Sequence, residues 1–311
     1  MSQTREIFLY ALLAVLIGTA ASLAANLFVQ GGAVFIWLSE ILRSVVSAAS
    51  YDYAPLSQAL SLFIGALLIY QIRQRFGVTK WSGPAESMFA LQYRAGPPLN
   101  TRIGAGSVFA AFVACGCGAP VGQYGPVIHL GATLSQALRN RIRRPLRPDI
   151  MLACGISGGI TGAFNAPLAA TVFVFEVMLR RYSAPVFAAV VLAAGSAYVV
   201  NEALFDHRLF LALTISQPTL EAGILAALIA PLCALIAWFY IRSLHAIQEW
   251  SSKSTLAPGV KIAACALACA LIGGLVPELL GLGGQAIQGM LLGSFTPVSY
   301  THLTLPTKWI V

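Results

Sequence analysis

Residues 7–29 read IFLYALLAVLIGTAASLAANLFV, an apolar stretch without a charged side chain. About 20 such residues in helical form cross the hydrocarbon of a bilayer. Of all 311 residues 58% are hydrophobic and 10% charged, whereas roughly a quarter are charged in ordinary soluble domains. Too few polar groups remain to solvate a soluble particle of this size. The sequence therefore predicts a polytopic membrane protein, and residues 7–29 are a membrane segment rather than a cleaved signal peptide.

The basic residues are concentrated in short stretches between the apolar segments. Such stretches face the cytoplasm in most membrane proteins, so orientation explains the net charge of +8. No aromatic residue interleaves the largest cluster, which argues against a nucleic-acid partner. We expect all the clusters on the cytoplasmic side. They are Arg73, Arg75 and Lys80; Arg139, Arg141, Arg143, Arg144 and Arg147; and Arg180 and Arg181.

Successive apolar segments of unequal length follow one another along the chain. Several are too short to cross the hydrocarbon, and Gly-Pro or Asn-Ala-Pro sequences interrupt them. We therefore predict an all-α fold with broken, re-entrant helices, including a hairpin at Asn165-Ala166-Pro167. The segments are residues 7–29, 33–49, 56–72, 103–115, 127–138, 150–164, 167–179, 186–200, 224–241 and 260–276.

A helix end at membrane depth has no water to satisfy its backbone groups, so it must lie within protein or line a wet cavity. A helix that begins at Pro126 presents free N–H groups and the positive end of its dipole, which together favour an anion. The glycines from Gly155 to Gly162 indicate close helix packing, with a ligand role as the alternative. The six cysteines lie among apolar residues without zinc spacing, so no metal site is predicted.

Two motifs resemble the CLC chloride channel and transporter family. Gly122-Gln123-Tyr124-Gly125-Pro126, followed by VIHLGA, resembles its G-R/K-E-G-P segment and the helix after it. The stretch AFNAPLA at 163–169, followed by FVFE at 173–176, is similar to its A-F-N-A-P-L-A…F-x-x-E segment. Trp81-Ser82-Gly83-Pro84 is a weaker match to G-S-G-I-P. The resemblance covers residues 9–297 and implies two inverted halves, with one pore per subunit of a homodimer.

The resemblance also implies a chloride site between two helix N-termini. Hydroxyl and amide dipoles would hold the anion without a buried full positive charge, so the anion could leave quickly. The implied substrate is chloride or another small anion, and no cofactor is expected. Carried over by position, the implied chloride-binding residues are Ser82, Gly125, Pro126, Val127 and Ile128; the gate position is Tyr124; and the pore-adjacent residues are Gly122, Gln123 and Glu176.

The chain departs from the family at both carboxylates of the exchangers' proton route. Tyr124 replaces the gating glutamate, and Val177 stands where the internal proton glutamate follows the F-x-x-E residue. A phenol stays neutral at physiological pH and offers a hydrogen-bond donor. We therefore predict anion movement that is uncoupled from protons. The alternatives are a pore that Tyr124 plugs and a chloride/proton antiporter that uses other groups.

Other polar residues have plainer interpretations. We expect Glu176 to form an interfacial salt bridge with Arg180 or Arg181, His129 to be packed against a carbonyl, and Glu86 to pair with a cytoplasmic arginine. A remote enzymatic alternative is an intramembrane serine protease, because Gly155-Ile156-Ser157-Gly158 fits a G-x-S-G motif. Its general base would be His207 or His245, and neither lies on a small-residue helix that would allow close approach.

Residues 298–311, which begin VSYTHLTLPT, are polar and lack helical periodicity. They resemble a translated sequencing-library adapter, and we expect them not to belong to the natural protein. The expected organisation is a first inverted repeat at 1–201, the start of a second repeat at 202–297, and this tail. The family's second-half G-x-F-x-P segment and late tyrosine do not occur, so a non-conducting fragment is a further alternative. The expected location is the bacterial inner membrane.

Overall fold

The computed structural model describes residues 3–49, 54–93, 99–142, 147–205 and 219–291. Every regular element in these ranges is helical, which confirms the predicted fold class. A π-helical turn (Val174–Leu179) continues α7, and a short 3-10 turn (Pro277–Leu279) precedes α11. The α-helices are α1 (Gln3–Ala49), α2 (Ala54–Phe76), α3 (Pro84–Gln92), α4 (Thr101–Gly116), α5 (Tyr124–Arg141), α6 (Pro148–Phe164), α7 (Pro167–Phe173), α8 (Ala184–Leu204), α9 (Leu220–Lys253), α10 (Pro258–Leu275) and α11 (Gly284–Leu291).

Helix α6 is the centre of the fold. All residues at 149–162 are buried, and the helix packs against α1, α5 and α8. A methyl group added at Gly158 would lie 2.7 Å from the carbonyl oxygen of Gly18 on α1. One added at Gly155 would collide with the Ser135 hydroxyl and the Gly131 carbonyl of α5. The predicted role of these glycines in close helix packing is confirmed.

The outer helices expose apolar surface suited to lipid. Helix α9 buries none of its residues, whereas α10 packs along α2, where Gly259 contacts the Tyr70 ring. The predicted polytopic membrane protein is therefore confirmed. The helices long and apolar enough to cross a membrane are Phe8–Gly32, Leu56–Phe76, Ala184–Leu204, Leu220–Lys253 and Pro258–Leu275.

The predicted hairpin between α6 and α7 is present. Asn165 ends α6 with φ 54°, and its N–H donates to the Thr161 carbonyl at 2.8 Å. Helix α7 then begins at Pro167, whose missing N–H is no loss in a first helical turn. The π-helical turn that follows ends at Arg180, which also has a positive φ of 52°. The chain thus enters and leaves the core within about 30 residues, as a re-entrant hairpin does.

Two helices differ from the prediction. The apolar segments 7–29 and 33–49 form one helix, α1, of 47 residues, which is about 70 Å long at 1.5 Å per residue. Gly31 and Gly32 do not break it because glycine keeps its N–H and so preserves the hydrogen-bond ladder, unlike proline. Helix α3 was not predicted, because its nine residues are too short for a periodic pattern.

The loop between α10 and α11 is joined to the turn that precedes α5. The N–H of Gly281 donates to the carbonyl of Gly118 at 2.8 Å. Both glycines have positive φ, 79° and 87° respectively. Residues assigned to the second repeat therefore contact the approach to α5. The boundary between 1–201 and 202–297 stays a prediction, and the tail at 298–311 lies outside the described residues.

Glycine 155 provides a test of the α5–α6 packing. We expect Gly155→Ala to destabilise the protein by about 1–3 kcal/mol, as overpacking of a close-packed core does. Gly195→Ala on α8 is the matched control, because a methyl group there meets nothing within 4 Å. Thermal unfolding in detergent measures both variants. Equal midpoints for the two would contradict the close packing.

Candidate functional site

The N-termini of α3 and α5 meet. A methyl group added at Gly125, in the first turn of α5, would lie 3.3 Å from Pro84 Cγ in the first turn of α3. One turn further along, Ser87 Oγ of α3 and His129 Nδ1 of α5 are 2.7 Å apart. The structure therefore brings together the two motifs that contain Ser82 and Gly125. The positive ends of both helix dipoles point into this region.

The loop before α3, which contains Ser82, is held by hydrogen bonds from its backbone N–H groups to two side chains. The Ser82 N–H donates to Ser107 Oγ of α4 at 2.9 Å. The Gly83 N–H donates to Glu86 Oε2 at 2.8 Å, which is the glutamate half of a capping box at the start of α3. With both N–H groups engaged, the hydroxyl of Ser82 is the group that the loop can offer to a ligand. Among the described residues Glu86 forms no ion pair with an arginine, and one oxygen of its carboxylate caps α3.

His129 joins the two helices. Its Nδ1 is bonded to the Ser87 hydroxyl, which also lies 3.3 Å from the Gly83 carbonyl oxygen. The imidazole is 1% exposed and also interacts with the backbone of Gly83, as expected of a packed histidine bonded to a carbonyl. On its other side, a methyl group added at Gly104 of α4 would lie 3.3 Å from Nε2. The histidine thus links the N-termini of α3 and α5.

Only some residues in the first turn of α5 have a backbone N–H group that can bind an anion. Tyr124 is the first residue of the helix, after the half-buried Gln123 and the exposed Gly122. Pro126 has no N–H, and the Val127 N–H donates to the Gln123 carbonyl at 3.3 Å. Gly125 lies in the first turn, where N–H groups have no intrahelical acceptor. Direct contact of an anion with Val127 or Ile128 stays a prediction.

Tyr124 packs face to face with Phe164. Their ring centroids are 4.0 Å apart and the planes are inclined by 24°. Phe164 is the last residue of α6, and its side chain is 48% exposed. The sequence analysis noted Phe164 only as part of a motif and gave it no role. No local pattern could have revealed this contact, because 40 residues separate the two rings.

Glu176 does not form the expected salt bridge with a described residue. It is exposed on the π-helical turn beside the equally exposed Val177. Among the described residues no ion pair involves Glu176, and Arg181 binds Asp149 instead, at 3.2 Å. Its placement beside the pore stays a prediction.

Asp149 is the charged residue that the sequence analysis missed. Its carboxylate is buried at the start of α6 and accepts from Arg147 at 2.7 Å and from Arg181 at 3.2 Å. Arg181 also donates to the Leu91 carbonyl at the end of α3. The hydrogen bonds that Arg147 donates to Asp149 raise the pKa of the Arg147 guanidinium above its ordinary value. This cluster fixes the predicted cytoplasmic ends of α3 and α6.

The protease arrangement is not formed in the part of the chain that the structure describes. Ser157 is fully buried on α6, and its hydroxyl has no hydrogen-bond partner there. His245 is exposed on α9, which buries none of its residues. His207 lies outside the described residues. No general base therefore touches the serine in the described ranges.

Comparison with known proteins identifies the architecture. The sequence profile of the family described as "Voltage gated chloride channel" matches residues 61–311, more than half of the chain. The chain belongs to this family. The CLC resemblance of the two motifs is thereby confirmed.

Relatives within the CLC family include both channels and exchangers. The "Voltage-gated ClC-type chloride channel ClcB" of Yersinia pseudotuberculosis serotype O:1b is 24% identical over 258 residues, which cover 81% of this chain and 62% of that protein. The chain therefore spans somewhat less than two thirds of this relative's length.

Two solved structures share the fold. A slow cyanobacterial Cl⁻/H⁺ antiporter superposes with a TM-score of 0.77 at 18% identity, over 97% of this chain and 73% of the other. A CLC-type fluoride/proton antiporter superposes with a TM-score of 0.75 at 20% identity, over 100% and 76%.

The link between Ser87 and His129 is testable by stability. We expect Ser87→Ala to lower the free energy of unfolding by about 1–3 kcal/mol, because it leaves a buried ring nitrogen without a partner. The double variant Ser87→Ala/His129→Leu should lose less than the sum of the single changes. Ser243→Ala on the exposed α9, whose hydroxyl bonds only its own helix at 2.9 Å, is the control. Strict additivity in denaturant unfolding would rule the link out.

Proposed function

We propose that this protein moves chloride or another small monovalent anion across the membrane without obligatory coupling to protons. The observation that carries the proposal is Tyr124, a residue without a carboxylate, at the start of α5 and against Phe164. Family membership and the meeting of the α3 and α5 N-termini support the anion part. The named relatives include a chloride channel and proton antiporters, so the uncoupled mechanism rests on this chain's own residues.

The proposed anion site uses dipoles rather than a buried cation. The Ser82 hydroxyl would donate from the loop before α3, and the Gly125 N–H from the first turn of α5. Both helix dipoles add a favourable potential without a full charge. A full positive charge at this depth would bind the anion tightly and slow its release, whereas dipoles allow rapid exit. The described ion pairs of Arg147 and Arg181 lie at the other end of α6.

Tyr124 places no carboxylate at the gate position. Its hydroxyl can donate a hydrogen bond to a passing anion. Val177 is likewise without a carboxylate, because its side chain is aliphatic. With both positions of the proton route filled in this way, anion and proton movements share no carboxylate there. Plugging by Tyr124 and coupling through other groups are the competing hypotheses.

The cellular setting belongs to the same proposal. We place the protein in the bacterial inner membrane as a multi-pass homodimer, with the arginine-rich helix ends facing the cytoplasm. The enzymatic alternative has no support in the described site.

Proton coupling is the decisive measurement. The protein is expressed from its natural gene, purified and reconstituted into liposomes. It should release chloride without driving proton movement against a pH gradient. Tyr124→Phe, which keeps the ring and loses the hydroxyl, should stay uncoupled. Chloride-driven proton pumping would refute the uncoupled mechanism. Flux in Tyr124→Ala but not in the unmodified protein would establish the plug, and no flux in either would overturn anion transport.

Ser82 allows an independent test of the anion site. A hydrogen bond to a charged group is worth about 1.5–3 kcal/mol, so Ser82→Ala should weaken chloride binding by roughly 10- to 150-fold. Isothermal titration with chloride measures the affinity, and Ser243→Ala is again the matched control. Unchanged affinity in Ser82→Ala would place the anion elsewhere.

A further inference from the structure

Asn201 of α8 is a buried polar side chain with every hydrogen-bonding group engaged. It is 0% exposed, and it connects α1, the end of α6 and the α6–α7 turn to α8. Its Oδ1 accepts from Ser22 Oγ at 2.6 Å and from Asn26 Nδ2 at 2.7 Å. Its Nδ2 donates to the carbonyls of Thr161 at 2.9 Å and Gly162 at 3.2 Å. The same Nδ2 lies 3.4 Å from Asn165 Oδ1. The Gly162 carbonyl is among the orphan acceptors of a helix C-terminus, whereas the Thr161 carbonyl also accepts from the Asn165 N–H.

Asn165 receives a second support from the next residue of α8. Its Nδ2 donates to Glu202 Oε1 at 2.8 Å, while its Oδ1 faces Asn201. Both ends of the Asn165 amide are therefore held by α8. The backbone of Asn165 is in the left-handed region, with φ 54°, which is uncommon for a residue with a side chain. The two α8 contacts stabilise the turn in this conformation.

The residue before this turn is Phe164, whose ring covers Tyr124. Because Phe164 is the last residue of α6, the direction of its side chain depends on how the helix ends. Half of its surface is exposed, so core packing alone does not fix the ring. The turn geometry, and with it the α8 contacts, decides whether the two rings stay stacked.

We infer that Asn201 and Glu202 are positioning residues for the gate: through Asn165 they hold the Phe164 ring against Tyr124. In this role Glu202 acts as a hydrogen-bond acceptor, not as a charge. The inference concerns the same site as the proposed function, and its effect on transport rests on that function. The effect on the ring stack does not, so it can be measured separately.

The first experiment observes the Tyr124 ring directly. The protein is labelled with 3-fluorotyrosine and its ¹⁹F spectrum is recorded in detergent; Tyr124→Phe identifies the resonance of Tyr124. Phe164→Leu removes the ring current of the stack and should shift this resonance. Glu202→Ala should shift it in the same direction, and Glu202→Gln should leave it in place, because the amide oxygen of glutamine still accepts from Asn165.

The second experiment measures chloride flux from liposomes with the same variants. Aromatic pairs are worth about 0.5–1.5 kcal/mol, so loss of the stack should increase flux by roughly 2- to 12-fold. Glu202→Ala should show this increase and Glu202→Gln should not. In a Phe164→Leu background, neither change should have any further effect.

The outcomes separate this inference from the proposed function. If the alanine and glutamine variants both shift the Tyr124 resonance and both increase chloride flux, Glu202 acts through its charge and the inference is wrong. An unshifted Tyr124 resonance in Glu202→Ala would also contradict the inference, whether or not the protein conducts. A protein that conducts nothing but shows the expected ¹⁹F pattern retains the positioning role and loses the transport function. Glu202 is exposed, so its variants should fold normally.

Discussion

The rest of this structure depends on satisfying backbone groups at helix ends that lie away from water. In hydrocarbon an unpaired N–H or C=O costs several kcal/mol, and the N-termini of α3 and α5 meet beside the α6–α7 turn. Each such end has a specific solution here. Glu86 and Ser107 occupy N–H groups before α3, Asn201 covers carbonyls at the end of α6, and Pro167 removes one donor from the start of α7.

Close packing around α6 makes these solutions possible. The helix touches α1 and α5 through glycines on both sides, so backbones approach where side chains would otherwise separate them. Polar groups from distant parts of the chain then come within hydrogen-bond reach, as with Ser22 and Asn201, which are 179 residues apart. Tyr124, at the proposed gate position, packs on Phe164 at the exposed end of α6.

The sequence predicted much of the fold because helix breaks and small residues leave local marks. Proline at Pro126 and Pro167 and the glycines of α6 indicated broken, tightly packed helices, and the resemblance of two motifs gave the family. Partners across the fold leave no such mark. The capping role of Glu86 and the Asp149 partner of Arg181 were not predicted, because local sequence does not show which charge or cap a side chain meets. The continuity of α1 was missed because two glycines look like a break and are tolerated within a helix.

The hydrogen bond between Gly281 and Gly118 gives the molecule a joint made only of main-chain atoms. Both residues adopt left-handed backbone conformations that glycine accepts without strain. Substitutions of side chains elsewhere therefore leave this joint intact, while any residue with a side chain at either position would strain it. The α10–α11 loop and the turn before α5 can thus diversify in sequence and stay joined through the backbone.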